Sequence, residues 1–110
     1  MKLDDLAAFG VDIDEGLKRC MNNEAFYLRL VDTLKQETRF DALKAAVEEG
    51  DLDAAFEAAH ALKGVLGNLS ISPLYGPICE ITELLRAKED ADYASLVDPI
   101  MSTWDAFKAL

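Results

Sequence analysis

One histidine, three prolines and two cysteines stand in 110 residues, and each scarcity removes a class of answer. Cys20 and Cys79 form no C-x-x-C pair. Two cysteines and one histidine are too few to close a structural zinc site, so the thiols read as buried free cysteines packed as small hydrophobes. Apolar runs are only a few residues long, which predicts no membrane-spanning helix. Met1-Lys2-Leu3-Asp4-Asp5 is not a basic region leading into a long apolar stretch. A secretory signal is therefore not expected, and a cytoplasmic location is. Positive charge is also sparse: 11 Lys and Arg are scattered among 21 Asp and Glu, for a formal net charge of −10. Nucleic acids and anionic membranes require a basic footprint, which this pattern excludes. A soluble, self-repelling surface is the plain meaning of the acidity. Glycine-rich nucleotide loops and P-loop patterns are missing, and 110 residues leave no room for an ATP-binding domain. Internal repeats, linkers and sustained apolar/polar alternation are missing as well, so strands are not expected.

What remains is a chain with 51% apolar residues, enough for one core and one domain over residues 1–110. Leu3, Leu6 and Ala7 predict a short first helix stopped at Gly10. Asp12 is placed as the cap of a second helix, with Glu15 closing a capping box and Ile13, Leu17, Cys20 and Met21 as its apolar face. Asn22 and Asn23 mark a turn or a new cap. Phe26, Tyr27, Leu30, Val31 and Leu34 then follow helical spacing. After a break near Glu37-Thr38, Phe40, Leu43 and Val47 continue to Gly50, a favoured residue just past a helix end. Asp51 caps a long helix whose stripe is Leu52, Ala55, Phe56, Ala59, Leu62, Leu66 and Leu69. Ser72-Pro73 ends it or opens the next helix, whose regular part is expected to start near Gly76-Pro77, with Ile78, Ile81, Leu84 and Leu85 buried. Tyr93, Leu96, Val97, Ile100, Trp104 and Phe107 form the last stripe, with a kink or restart expected at Asp98-Pro99. Long amphipathic segments on short connections predict an all-α, antiparallel four-helix bundle with a short extra N-terminal helix that caps its end.

His60 is the informative residue, although by periodicity alone a lone histidine on a bundle reads first as ordinary surface. At roughly 100° per residue, it lies roughly 120° from the centre of the Ala55, Ala59, Leu62 and Leu66 stripe, on the flank or solvent face of a long helix. Gly64 and Gly67 follow it at i+4 and i+7. A mid-helix glycine costs about 1 kcal/mol relative to alanine, so this pair marks a place where something approaches the backbone. Helix–helix packing, or a helix end at Gly67, is the alternative reading. Lys63 at i+3 reaches anything attached to the ring. Glu57 at i−3 is placed to hydrogen-bond the ring or favour its protonated form. A neutral imidazole is a good nucleophile near neutral pH, and phosphoryl transfer needs in-line positioning and nearby positive charge more than covalent machinery.

Ala59-His60-Ala61-Leu62-Lys63-Gly64, followed by Asn68-Leu69, closely resembles the signature of histidine phosphotransfer (HPt) domains. Gly50-Asp51-Leu52 is similar to the family's lead-in. Glu80 through Arg86 looks like the helix packed beside the signature, and Gly10 through Arg19 with Tyr27-Leu28 resembles the first helices. The resemblance implies a four-helix bundle with the histidine exposed on its second helix, phosphorylated at Nε2. His60 is then the phospho-acceptor, Lys63 the phosphate neighbour and Gly64 the residue that clears space for the partner. Ala61, Val65, Gly67, Asn68 and Glu57 are expected at the binding surface, with Val65 joining Gly64 in a partly apolar contact patch. Ser70 departs from the family, where glycine is common, and Gly67 stands where another small residue is usual. The implied partners are response-regulator receiver domains and a hybrid sensor histidine kinase. No cofactor of the chain's own is implied, and Mg2+ is expected on the receiver. The chain is then a phosphocarrier without autonomous kinase activity.

Two other readings use the same residues. Glu57-x-x-His60 has the spacing of di-iron bundle ligands, but such sites need two pairs and further glutamates pointing inward. An HPt-fold interaction module without phosphate traffic is the second alternative, and the retention of His60, Lys63 and Gly64 together argues against it.

Overall fold

The computed structural model describes residues 1–110 as seven helices and no strand. They are α1 (Leu3–Phe9), α2 (Ile13–Arg19), α3 (Glu24–Leu34), α4 (Arg39–Glu49), α5 (Leu52–Leu69), α6 (Ser72–Arg86) and α7 (Tyr93–Lys108). Helices α4 to α7 form the bundle: α5 packs between α4 and α6, and α7 closes the ring against the same two helices. Helix α2 lies on α5 and also contacts α1 and α3, while α3 touches α5. The expected all-helical four-helix bundle is present.

Local chemistry sets the helix ends. Asp12, Asn23, Asp51 and Asp92 each accept the backbone N–H three residues on, at 3.1, 3.0, 3.0 and 3.2 Å, satisfying a donor that an N-terminal turn otherwise leaves unpaired. Gly10 and Gly50 end α1 and α4 in left-handed conformations with φ of 103° and 72°, where a side chain is disfavoured. Ser70 ends α5 in the same region at φ 57°. That conformation is the physical reason glycine suits this position.

Several expectations need correction. The capping box of α2 is half made: the Glu15 carboxylate turns away from the cap and takes the Arg19 Nε–H at 3.1 Å. Met21 is 89% exposed because α2 stops at Arg19, and Met21 turns left-handed at φ 57°. Phe26 also faces solvent. Helix α6 opens at Ser72-Pro73, the earlier of the two expected points, and is already regular before Gly76-Pro77, while α7 runs through Pro99 without restarting. Both prolines are exposed and sit in the N-terminal half of their helices. The hydrogen bond each removes belongs to a carbonyl near the helix start, so the rest of the helix is untouched.

The core joins 25 buried residues from Leu6 to Phe107. Phe40 stacks on Trp104 at 4.1 Å, Trp104 meets Phe107 at 5.7 Å, and Phe9 of α1 lies against Phe107 at 5.9 Å. Helix α1 thus covers one end of the bundle, as expected. Two further contacts fix α2 at that end. The Asp12 N–H donates to the Ser70 carbonyl at 3.2 Å, and buried Tyr27 lies over Gly16 while its hydroxyl donates to the Leu69 carbonyl at 2.8 Å.

Candidate functional site

Ala55, Ala59, Leu62 and Leu66 are fully buried and fix the rotation of α5. The helical period then turns the face carrying His60 and Gly64 outward, and both residues are exposed. His60 lies midway along an 18-residue helix capped at its start by Asp51. Its imidazole stacks on the ring of Phe56, one turn earlier, at 5.5 Å and 17° between planes. The Arg86 guanidinium lies 5.1 Å from the same Phe56 ring. Glu57 is exposed and makes no hydrogen bond or ion pair with His60 within the geometric limits of either. The expected Glu57 contact is therefore replaced by the Phe56 stack, an aromatic neighbour that the residue spacing alone left in the core stripe.

Lys63 is half-buried, and its ammonium group stands 3.7 Å from Glu83 on α6. Glu83 also accepts the Arg86 Nε–H at 3.2 Å. Phe56, His60 and Lys63 on α5 are therefore linked to Glu83 and Arg86 on α6 by one stack, one cation–π contact and two ion pairs.

An open groove of about 320 Å³ runs beside the ring, lined by Arg19, His60, Lys63, Gly64, Gly67, Asn68 and Tyr75. No carboxylate is among them, although acids outnumber bases by 21 to 11 in the chain. A Cβ built on Gly64 meets nothing within 4 Å, so the backbone there is bare and approachable. Gly67 has a different reason to be small: its added Cβ lies 3.0 Å from the Tyr75 ring, which rests on this part of α5. The neighbouring Cys79 side chain pushes the Tyr75 phenol above the usual tyrosine range, and the charge of Arg19 opposes that rise.

The structure thus brings His60, Lys63, Gly64, Gly67 and Asn68 to one groove. Ala61 and Glu57 do not line it. Val65, half-buried, faces α3 and lines a separate, more apolar groove with Leu30, Leu34 and Leu69, so the expected patch of Val65 with Gly64 is not formed. Arg19 and Tyr75 belong to the groove but carry no signal in the local spacing around His60. They arrive from other helices, and only the packing of α2 and α6 on α5 reveals them.

Fold and groove define a class: a helical bundle that presents one nucleophilic ring from mid-helix, beside cations and bare backbone. The Hpt domain family model matches residues 29–110, and the chain belongs to that family. Hpt domains are phosphocarriers in two-component signalling and interact there with receiver domains and kinases. No curated protein and no solved structure matches the chain. No helix is long and apolar enough to cross a membrane.

Proposed function

We propose that this chain relays a phosphoryl group between receiver-domain aspartates through a phosphohistidine at His60. The exposed imidazole beside open Gly64 carries the reading. A receiver is a folded domain, so its aspartyl phosphate reaches a nucleophile only where the scaffold offers an unobstructed approach. His60 has that approach, and the stack on Phe56 limits ring motion on one side. In the transfer, the Nε2 lone pair attacks phosphorus, the P–O bond to the aspartyl carboxylate breaks, and the carboxylate leaves with that electron pair. The reverse step passes the group to another receiver.

Lys63 stands one turn from His60 and supplies positive charge for the equatorial oxygens, where such charge matters most in a loose transition state. Gly64 lets the partner's backbone approach. Gly67 and Asn68 extend the contact surface along α5. On this reading phosphate comes from a receiver that a hybrid sensor kinase has loaded, and Mg2+ is bound by that receiver rather than by this chain. We place the protein in the cytoplasm as a single domain over residues 1–110.

Incubation with a phosphorylated receiver tests the proposal. Acid-labile, base-stable label is expected on the wild-type chain and none on His60→Gln, whose far-ultraviolet spectrum and melting remain those of the folded bundle. Label persisting in His60→Gln overturns the assignment. A chain that binds the receiver but never takes label is an interaction module instead.

A further inference from the structure

The groove beside His60 contains a second cation, Arg19, that lies outside residues 29–110, the span matched by the family model. We propose that Arg19, from α2, is a phosphoryl-binding residue of the transfer site, holding the negative group between its guanidinium and the ammonium of Lys63. The inference rests on His60 being the phospho-acceptor.

Three observations place Arg19 there. First, α2 is docked against α5 by fixed contacts: Asp12 N–H to the Ser70 carbonyl at 3.2 Å, and Gly16 beneath the Tyr27 ring. Residues three apart share a helix face, so the face that buries Gly16 against the bundle also carries Arg19. Arg19 consequently lines the same 320 Å³ groove as His60 and Lys63. Second, the lining is charge-selective. Its ionisable members are Arg19, His60, Lys63 and Tyr75, with no carboxylate, on a chain of net charge −10. Glu15 and Glu83, which pair with the two cations, stand outside that lining, so an incoming anion meets the cations from the open side of the groove. Third, both cations are lightly held. Arg19 is half-exposed and paired with Glu15 at 3.1 Å, and Lys63 is paired with Glu83 at 3.7 Å. Exposed pairs of this kind are worth well under the charge-assisted hydrogen bonds that a phosphoryl dianion offers. The anion therefore competes successfully with either carboxylate. Arginine also adds a forked donor geometry that the point charge of lysine lacks.

Phosphoramidate separates this role from receiver docking, because it is a small donor. Its P–N bond breaks as the His60–P bond forms, and ammonia leaves. The full chain and the variants Arg19→Ala, Arg19→Lys and Glu15→Gln are phosphorylated with phosphoramidate, and the rate is followed against donor concentration and salt. Arg19→Ala is expected to lower the second-order rate constant for phosphorylation about three- to tenfold, the effect of losing one partly solvated charge near a dianion. Arg19→Lys restores most of the loss. Glu15→Gln, which releases Arg19 from its carboxylate, raises the rate. Raising ionic strength from about 50 mM to about 500 mM narrows the gap between wild type and Arg19→Ala, a response that a purely structural defect does not give. Equal rates for wild type and Arg19→Ala overturn the proposal while leaving the phosphohistidine reading intact. A loss seen only with a receiver donor also overturns it, because Arg19 then contacts the partner's own carboxylates. Failure of the wild-type chain to take any label, from phosphoramidate or from a receiver, defeats the phosphohistidine reading itself.

Discussion

Replacing Gly64 separates fold stability from function with opposite signs. An ideal Cβ at this position meets nothing within 4 Å, and the residue is exposed on the face of α5 that carries His60. No clash opposes a Cβ on this exposed face, so the stability change is governed chiefly by intrinsic helix preference. That preference favours Ala over Gly by about 1 kcal/mol and Leu over Gly by nearly as much. For a domain of this size, about 1 kcal/mol raises Tm by about 4 °C or slightly more. Transfer responds the other way. A leucine side chain fills the space through which a receiver reaches His60, and displacement of reacting groups by about 1 Å costs about a hundredfold in rate. Gly64→Leu is therefore expected to melt higher and to accept phosphate from a receiver at least tenfold more slowly, with Gly64→Ala intermediate. Paired thermal melts and single-turnover transfer assays read both quantities on the same samples. A destabilised Gly64→Leu refutes the open-backbone geometry. A stabilised Gly64→Leu with unchanged transfer refutes the idea that the partner approaches there.

Other substitutions test other links. Gly16→Ala places a methyl 2.6 Å from the ring and hydroxyl of Tyr27, which is buried and tied to the Leu69 carbonyl. The resulting strain and hydrogen-bond loss are expected to cost about 2 kcal/mol or more despite the better helix former, and an unchanged urea midpoint rejects this. Burial, with smaller contributions from Cys20 and Asp12, pushes the Tyr27 phenol up to about 12. An unfolded tyrosine releases its proton near pH 10. The stability linked to this proton is therefore complete below about pH 10 and is lost as pH rises toward about 12. Tyr27→Phe should show a shallower alkaline loss of stability, and an identical slope contradicts the assignment. Glu83→Gln frees Lys63 and is expected to speed transfer a few-fold, whereas Lys63→Ala slows it. The Glu83 effect should vanish when Lys63 is already alanine, and additive effects show that the two residues act independently.

Much of the fold is legible in the chain because its signals are local. Asp12, Asn23, Asp51, Gly10 and Gly50 mark helix boundaries by chemistry that acts within a few residues. The alanine-rich stripe of α5 fixes which way His60 points, and the exposed ring confirms that count. The errors have a common origin. Pro77 and Pro99 read as breaks, yet each sits on the exposed side of the N-terminal half of its helix, where a missing donor does little harm. Glu15 has the spacing of a capping box, but Arg19 one turn later competes for the same carboxylate. Met21 continues the apolar period of α2 although the helix has already ended.

The site divides along the same line. His60, Lys63, Gly64, Gly67 and Asn68 share one helix and were visible as a motif. Phe56 reads equally well as core, and its stack with His60 depends on a ring orientation that spacing does not encode. Arg19, Tyr75 and Glu83 come from neighbouring helices through tertiary packing, where a single sequence carries no pairing information. Val65 shows the converse: sequence adjacency to Gly64 suggested a shared patch, but one further residue turns the side chain toward α3.

The most direct measurement is phosphorus NMR of the full chain after exposure to a phosphorylated receiver, with the phosphorus nucleus correlated to imidazole protons. Phosphohistidine resonances coupled to the ring of His60, appearing as the aspartyl phosphate disappears, are the predicted result. A receiver that loses its phosphate only to inorganic phosphate, or a phosphorus signal coupled to any other side chain, contradicts the account.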